Sequence, residues 1–201
     1  MIAIIDYGAG NIKSLQFALE RLDIPSELTS DRTRLEQADA LILPGVGAFG
    51  DAMKQLKATG LDEVVKAEVA KGKPLLGICL GMQMLFETSE EGGRSDGLGL
   101  LKGNITLIPD TVKVPHMGWN SLTVQQDKPI LKDVTNGDYV YFVHSYYAAD
   151  TDNNDIVADA DYEVSVPAVV QKGNTIGIQF HPEKSGETGL QILKNFGGMF
   201  T

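Results

Sequence analysis

The chain has 201 residues, of which 43% are hydrophobic and 22% charged, a composition that predicts one soluble globular domain over residues 1–201. A formal net charge of −10 argues against nucleic acid as a partner, because a phosphate backbone binds a basic surface. The single cysteine cannot form an internal disulfide, so an oxidising compartment is not required. We find neither a signal peptide before the first apolar run nor an apolar run of membrane-spanning length. A cytoplasmic location is therefore expected.

The first half of the chain alternates apolar runs with segments of helical spacing. The apolar runs predict strands at residues 2–6, 26–29, 40–43 and 74–78. A helix that Asn11 can cap is predicted after the first strand. Further helical segments are expected from the glycine-rich residues 45–50 to about Ala70, and again over residues 80–87. This order predicts an α/β fold, with a mostly parallel central sheet between two layers of helices.

The second half of the chain has a different pattern, with short alternating segments. Strands are predicted near residues 104–108, 121–124, 139–143, 156–160, 167–171 and 175–180. Residues 171–174 predict the turn of a hairpin between the last two strands, and a final amphipathic helix is predicted near 186–197. We expect these strands to extend the main sheet, or to pack on it, as antiparallel additions.

Cys79 lies where the strand at 74–78 meets the next predicted helix, with a glycine two residues away on either side. This is the pattern of a nucleophile elbow, in which a strained turn projects the nucleophile outward. The flanking glycines lack a Cβ atom, so the strand and the helix can pass close together. The start of the helix places N–H groups and partial positive charge beside the sulfur, which favours the thiolate. Without this frame, a free cysteine is more often a small buried hydrophobe.

The glycine-rich loop Gly45-Val46-Gly47-Ala48-Phe49-Gly50 also matches the G-x-G-x-x-G pattern of dinucleotide-binding proteins. That pattern requires an acidic residue at the end of the following strand, where this chain has Cys79. An oxyanion hole is the better interpretation, because glycines allow backbone N–H groups to turn towards a developing negative charge. The N–H of Leu80 would be its second donor. A plain tight turn remains the alternative.

A cysteine nucleophile requires a base, and His181 is the strongest candidate. It precedes Pro182, which favours an extended backbone at His181, and in an extended segment residues two apart share a face. Glu183 can therefore hold one imidazole nitrogen and leave the other for the thiol of Cys79. The other histidines, His116 and His144, have no such partner nearby in sequence, and we interpret them as structural.

Metal ligands at a recognisable spacing are absent from the sequence, which contains neither H-x-x-x-H nor C-x-x-C. The dinucleotide interpretation of the glycine loop is disfavoured for the reason given above. We therefore expect neither a metal nor a cofactor.

The segments 77–83 and 181–183 resemble the corresponding motifs of the class I, triad-type glutamine amidotransferases. Within that family, four further segments are similar to those of the glutaminase subunits of imidazole glycerol phosphate synthases: residues 5–11, 43–50, 114–120 and 181–185. They keep the order found in those proteins and extend over nearly the whole chain.

This resemblance implies that Cys79 attacks the side-chain amide of L-glutamine, that His181 carries the proton, and that Glu183 orients His181. It implies oxyanion donors at Leu80 and in the loop Gly45–Gly47, and a substrate-holding role for Gln83. The ammonia would pass to a (β/α)8-barrel synthase subunit in a heterodimer, for histidine biosynthesis. The resemblance also implies an interface that includes Asn11, Trp119 and Lys184, and low glutaminase activity until the barrel binds its nucleotide.

Three other interpretations stay open at this point. The chain could be a triad-type glutaminase that serves a different synthase, although segments 5–11 and 114–120 argue against this. It could be a cysteine hydrolase of the intracellular-protease type, but such proteins place histidine directly after the cysteine, where this chain has Leu80. A non-catalytic scaffold subunit is the third, and the intact set of Cys79, His181 and Glu183 argues against it.

Overall fold

A computed structural model describes residues 1–8 and 12–200 of the chain. Its strands, in chain order, are β1 (Ile2–Ile5), β2 (Ser26–Thr29), β3 (Ala40–Leu43), β4 (Leu75–Ile78), β5 (Phe86–Ser89), β6 (Ser95–Asp96), β7 (Leu101–Leu107), β8 (His116–Ser121), β9 (Thr123–Val124), β10 (Tyr139–His144), β11 (Tyr146–Ala149), β12 (Ile156–Asp161), β13 (Ser165–Lys172) and β14 (Thr175–Ile178). Its helices are α1 (Lys13–Arg21), α2 (Arg32–Gln37), α3 (Phe49–Ala58), α4 (Leu61–Ala70), α5 (Leu80–Gln83) and α6 (Gly186–Gly198). Short 3₁₀ turns lie at Pro129–Leu131 and Pro182–Lys184.

The main sheet has eight strands in the order β2-β1-β3-β4-β14-β13-β12-β9. The pairs from β2 to β14 are parallel, and β13, β12 and β9 extend the sheet with antiparallel pairs. The predicted α/β class, with a mostly parallel sheet and antiparallel additions in the second half, is confirmed. The predicted hairpin between β13 and β14 is also confirmed.

Both faces of the main sheet are buried. Along β1, Ile2 and Ile4 pack into one core with the apolar sides of α1 and α6, while Ala3 and Ile5 pack into a second core with α3 and α4. All four of these strand residues are fully buried. Because both faces are covered, the central strands are continuous apolar runs and could be located from the sequence. Within residues 1–8 and 12–200, we find no helix with the length and apolar character needed to cross a membrane.

The helix predicted over residues 80–87 is wrong at its end. Helix α5 stops at Gln83, and Phe86–Ser89 forms strand β5, which pairs with β7 in a separate four-stranded sheet, β11-β7-β5-β6. Phe86 is fully buried there, so strand pairing and burial override the local helical spacing. Strand β8 and its partner β10 form a further two-stranded sheet, of which only β10 was predicted. Helix α1 begins at Lys13 with Ile12 at its N-cap, and the predicted cap Asn11 lies outside the described residues.

The turn from β4 into α5 brings two backbones into direct contact. A Cβ atom on Gly77 would lie 2.7 Å from the carbonyl oxygen of Gly81. A Cβ atom on Gly81 would overlap the carbonyl oxygen of Leu43, at the end of the neighbouring strand β3. The expected need for glycine on both sides of Cys79 is therefore confirmed, because backbone atoms cannot move aside as a flexible side chain can.

Gly81→Ala should reduce the free energy of unfolding by about 3 kcal/mol or more, since the new methyl group meets fixed backbone of β3. Gly198→Ala is the control: an added Cβ there has no atom within 4 Å, and alanine in a helix should raise the free energy of unfolding by about 0.5–1 kcal/mol. Urea unfolding of the two variants beside the parent chain measures both values. Equal stability of Gly81→Ala and the parent would contradict the close approach described here.

Candidate active site

The candidate site lies at one edge of the main sheet, where three adjacent parallel strands end. The loop Pro44–Gly47 follows β3, Cys79 follows β4, and His181 comes three residues after the end of β14. Because β3, β4 and β14 are neighbours and run in the same direction, their carboxyl ends meet at this edge. Segments more than 100 residues apart in sequence thereby form one site.

Cys79 has a left-handed backbone conformation, with φ of 53° and ψ of −112°. Such a conformation is costly for a residue with a side chain, and it is typical of a nucleophile elbow. Its backbone N–H donates a hydrogen bond of 2.8 Å to the carbonyl oxygen of Ile178 on β14, which ties the turn to the adjacent strand. The residue is 8% exposed, so its sulfur is buried at the base of the site.

His181 and Glu183 form a buried pair. The Nδ1 atom of His181 lies 2.8 Å from Oε1 of Glu183, and both side chains are less than 10% exposed. His181 and Cys79 also line the same pocket, and the thiol is close enough to raise the pKa of the imidazole. The predicted extended conformation at His181 is confirmed, with φ of −95° and ψ of 103°.

Electrostatics strongly favour the protonated form of His181. Burial alone lowers the pKa of this histidine, but the hydrogen bonds and charges of Cys79 and Glu183 more than offset this and raise its pKa to about 9. Among the described residues, Oε2 of Glu183 is buried and accepts no hydrogen bond, so the imidazole is the principal partner of this carboxylate. The site therefore holds a proton on His181 at neutral pH.

The glycine loop packs directly on the elbow. A Cβ atom on Gly45 would lie 2.9 Å from both the backbone nitrogen of Gly81 and the hydroxyl oxygen of Tyr7, so this position also requires glycine. The Tyr7 hydroxyl donates a 2.7 Å hydrogen bond to the carbonyl oxygen of Pro44. Burial and the charge of Cys79 raise the pKa of Tyr7, so its hydroxyl stays protonated and donates. The loop thus has a fixed start at Pro44.

A pocket of about 340 Å³ opens above Cys79. Five residues predicted from the sequence line it together with Cys79: Val46, Gly47, Leu80, Gln83 and His181. Lys184, which was predicted at an interface, also lies in its wall. Gly45 lines a smaller neighbouring pocket together with His181 and Glu183.

Sequence reasoning did not identify two further parts of the pocket lining, Glu91 and the segment Val143–Tyr146. The carboxylate of Glu91 accepts a 2.9 Å hydrogen bond from the backbone N–H of Phe49, at the start of α3. Tyr146 contributes its backbone carbonyl oxygen, which accepts a 2.9 Å hydrogen bond from Nε2 of Gln83. No residue-type signal could have located a backbone group, because it depends only on where the strand lies.

The two remaining histidines contact each other, although neither had a partner nearby in sequence. Nδ1 of His116 lies 2.9 Å from Nε2 of His144, and Nδ1 of His144 lies 2.8 Å from the carbonyl oxygen of Tyr146. Burial lowers the pKa of each histidine to about 4, so both are neutral at pH 7. His144 also lines the pocket, so this pair supports the wall that faces Cys79.

Two of the three predicted interface residues can be placed. Trp119, on β8, is 56% exposed and contacts Tyr141 of β10 edge-on, at 5.9 Å between ring centroids. Lys184 is exposed at the pocket wall. Asn11 lies outside the described residues.

Comparison with known proteins agrees with this geometry. The family model "Glutamine amidotransferase class-I" matches residues 3–198. The chain is 54% identical over 199 residues to the imidazole glycerol phosphate synthase subunit HisH of Caldanaerobacter subterraneus subsp. tengcongensis, covering 99% of this chain and 98% of that protein. It is 56% identical over 196 residues to the HisH subunit of Oceanobacillus iheyensis, covering 98% of each.

The chain belongs to the class I glutamine amidotransferase family. The resemblance drawn from the motifs around Cys79 and His181 is thereby confirmed, and the protein is an enzyme, a glutamine amidotransferase. The fold agrees as well: the solved structure of PurLQS from Thermotoga maritima superposes with a TM-score of 0.79 at 20% identity, covering 100% of this chain and 98% of that one.

Glu183→Gln should lower the pKa of His181 from about 9 towards its ordinary value of 6.5, because the variant removes the carboxylate charge. Because the pKa of His181 is raised on folding, protonated His181 stabilises the folded chain, and this stabilisation is complete below pH 6.5. It is lost as the pH rises through about 9. The full shift in the pKa of His181 corresponds to a stabilisation on the order of 3 kcal/mol, and the Glu183 carboxylate supplies a part of it. The stability difference between parent and variant should therefore be larger at pH 6 than at pH 9.5.

NMR titration of the His181 ring, with urea unfolding at those two pH values, measures this effect. Glu187→Gln is the matched control, since Glu187 is an exposed acid in the first turn of α6. A His181 midpoint that stays near 9 in Glu183→Gln would rule out the carboxylate as a cause.

Proposed function

We propose that this chain is the glutaminase subunit of imidazole glycerol phosphate synthase, acting in histidine biosynthesis. It would hydrolyse L-glutamine to glutamate and ammonia, and pass the ammonia to a (β/α)8-barrel synthase subunit in a heterodimer. More than 50% identity to HisH subunits over nearly the full length supports this assignment. The observation that carries the chemistry is that Cys79 and His181 line one pocket, while the buried carboxylate of Glu183 lies 2.8 Å from the His181 ring. We infer that residues 1–201 act as one glutaminase domain, in line with the family match over residues 3–198.

In the proposed reaction, the Cys79 sulfur adds to the amide carbon of glutamine and forms a tetrahedral intermediate. His181 then gives its proton to the departing nitrogen, and the carbon–nitrogen bond breaks to release ammonia and leave a γ-glutamyl thioester. Water, deprotonated by His181, attacks the thioester and releases glutamate, and the thiolate is restored. Glu183 holds the imidazole in position and stabilises its charged form through the 2.8 Å contact.

The oxyanion of the intermediate would be met by the N–H of Leu80 and by one N–H from the loop Gly45–Gly47. Leu80 follows Cys79 directly, and the loop lies in the same pocket wall. A peptide flip at Gly45–Val46 would add or remove a donor, which is worth about a hundredfold in rate. Because Tyr7 fixes the Pro44 carbonyl, such a flip would be confined to the residues that follow. Binding of the barrel and its nucleotide would favour the orientation that donates.

The remaining polar groups of the pocket suit an amino-acid substrate. Gln83 donates both of its amide hydrogens to the protein, to Tyr146 at 2.9 Å and to Gln179 at 3.1 Å, which leaves its oxygen for a ligand. The Glu91 carboxylate can pair with the α-ammonium group of glutamine, and Lys184 lines the same pocket. Opposite charges at two points would orient a zwitterion with its side-chain amide towards Cys79.

The surface beside the pocket suits a protein partner. Met117 and Trp119 on β8 and Tyr139 on β10 are each more than half exposed. Aromatic residues and methionine are enriched at protein interfaces, so we assign this ribbon to the contact with the synthase subunit. Trp119, Lys184 and Asn11 would belong to that contact.

Glutamate release from glutamine should be low for this chain alone, and should rise by about a hundredfold when the barrel subunit and its nucleotide substrate are both present. Cys79→Ala should abolish this release in every condition, while the complex should still make product from added ammonia. An enzymatic assay of glutamate and of product measures these rates for the parent chain and for Cys79→Ala, each alone, with the barrel subunit, and with the barrel subunit and its nucleotide. No glutamate release from the folded parent complex would contradict the proposed function.

Glu91→Gln should raise the KM for glutamine by about tenfold and change kcat little, because it removes a charge that would contact the α-ammonium group far from the reacting bond. Its hydrogen bond from the Phe49 N–H can be retained by the amide oxygen. Glu90→Gln is the control, since its carboxylate bonds Asn104 and Thr106 on β7, at 3.0 and 2.9 Å, and Glu90 is not among the residues that line the pocket in the described part of the chain. An unchanged KM in Glu91→Gln would remove Glu91 from the substrate site.

A further inference from the structure

Gln179 is a fully buried polar side chain beside the nucleophile, and the mechanism above does not use it. It follows β14 directly, two residues before His181. Its Nε2 atom lies 3.9 Å from Sγ of Cys79, and its Oε1 atom lies 3.1 Å from Nε2 of Gln83. A buried amide with one end on the nucleophile's sulfur requires a functional explanation.

The orientation of this amide is determined by a chain of hydrogen bonds that begins at a backbone carbonyl. The carbonyl oxygen of Tyr146 can only accept, so Gln83 must turn its NH₂ group towards it and towards Gln179. Gln179 therefore turns its oxygen towards Gln83, which leaves its own NH₂ group on the sulfur side. The reverse orientation would place two NH₂ groups against each other in a buried site.

The same carbonyl also fixes the two histidines behind the pocket wall. Nδ1 of His144 must carry hydrogen to bond Tyr146, so in the neutral ring Nε2 accepts from Nδ1 of His116. Nε2 of His116 then accepts from the side-chain amide of Asn120, at 3.3 Å. Every member of the series has a partner of the correct polarity, and satisfied buried networks of this kind are rigid.

We propose that Gln179 is a further catalytic residue, which donates an N–H to the sulfur of Cys79 and stabilises the thiolate. His181 supplies the positive charge on one side of the sulfur, and Gln179 supplies a neutral donor of fixed orientation on another. The hydrogen bond from Gln179 stabilises the negative charge on the sulfur before the sulfur attacks the substrate. The same hydrogen bond is available again when the thioester breaks and the sulfur regains its negative charge. This inference rests on the proposed glutaminase chemistry for its effect on turnover, but its effect on the thiolate stands apart from it.

The test is the rate of alkylation of Cys79 by iodoacetamide as a function of pH, which is specific because Cys79 is the only cysteine of the chain. Gln179→Met keeps the length of the side chain and removes the donor. We expect the midpoint of the rate profile to move to higher pH, and the rate at pH 6 to fall about fivefold. In the complex with the barrel subunit and its nucleotide, kcat for glutamine should fall by a similar factor.

Gln179→Glu separates donation to sulfur from support of Gln83. A carboxylate at this position can still accept from Nε2 of Gln83, but it has no hydrogen to donate and adds negative charge beside the sulfur. The midpoint of the alkylation profile of Gln179→Glu should therefore move to a higher pH than the midpoint of Gln179→Met. The other ionisable residues around the sulfur are the same in all variants: His181, Glu183, His144, Tyr7, Tyr146, Glu91 and Lys184.

Gln171→Met is the matched control, because Gln171 lies on β13 at the far end of the same hairpin and bonds the carbonyl oxygen of Gly173 at 2.9 Å. It should reproduce the parent profile. Thermal unfolding identifies any variant that fails to fold, and either Gln179 variant is sufficient for the test. A parental midpoint in a folded Gln179 variant would overturn the inference, whereas a parent complex that releases no glutamate would overturn the proposed function and leave the alkylation result intact.

Discussion

The close approach of three backbones around Cys79 is the constraint on which the rest of the site depends. Strand β4 can turn into α5 at a left-handed residue only because Gly77 and Gly81 leave no side chain between the helix, its own strand and the end of β3. Gly45, in the glycine loop, lies against the backbone of Gly81 in the same way, because a Cβ atom there would meet the nitrogen of Gly81. The sulfur, the following N–H of Leu80 and the glycine loop are thereby held in one arrangement before any substrate binds, which is the condition for electrostatic preorganisation.

Burial gives that arrangement its chemical character. His181 is removed from water, yet it keeps a proton because Glu183 lies 2.8 Å away on one side and Cys79 lies on the other. The other two histidines differ from His181, because burial without a nearby carboxylate leaves His116 and His144 neutral. One histidine can carry a proton through a reaction, while the other two form a fixed hydrogen-bonded support. The residue type is the same in all three, and the environment decides the role.

The errors of the sequence analysis have a common physical origin. The parallel core strands were located correctly because they are buried on both faces and therefore uniformly apolar. Residues 86–87 were assigned to a helix because local spacing cannot reveal that the backbone of Phe86–Ser89 pairs with β7. Strand β8 was missed because His116–Ser121 carries a glycine and polar residues, and its stability comes from pairing with β10. Local pattern predicts what a segment prefers, and pairing with a distant strand can override it.

The sequence by itself determined the chemistry: a cysteine framed by glycines, a histidine with an acid two residues on, and motifs that identify a glutamine amidotransferase. Those features are local, since the backbone of an elbow and the shared face of an extended segment depend on neighbours in sequence. Only the tertiary structure decided what surrounds the nucleophile. Glu91 and Tyr146 line the pocket, and Gln179 contacts the sulfur of Cys79, because distant strands and loops meet at one edge of the sheet. No residue pattern near Cys79 encodes that meeting.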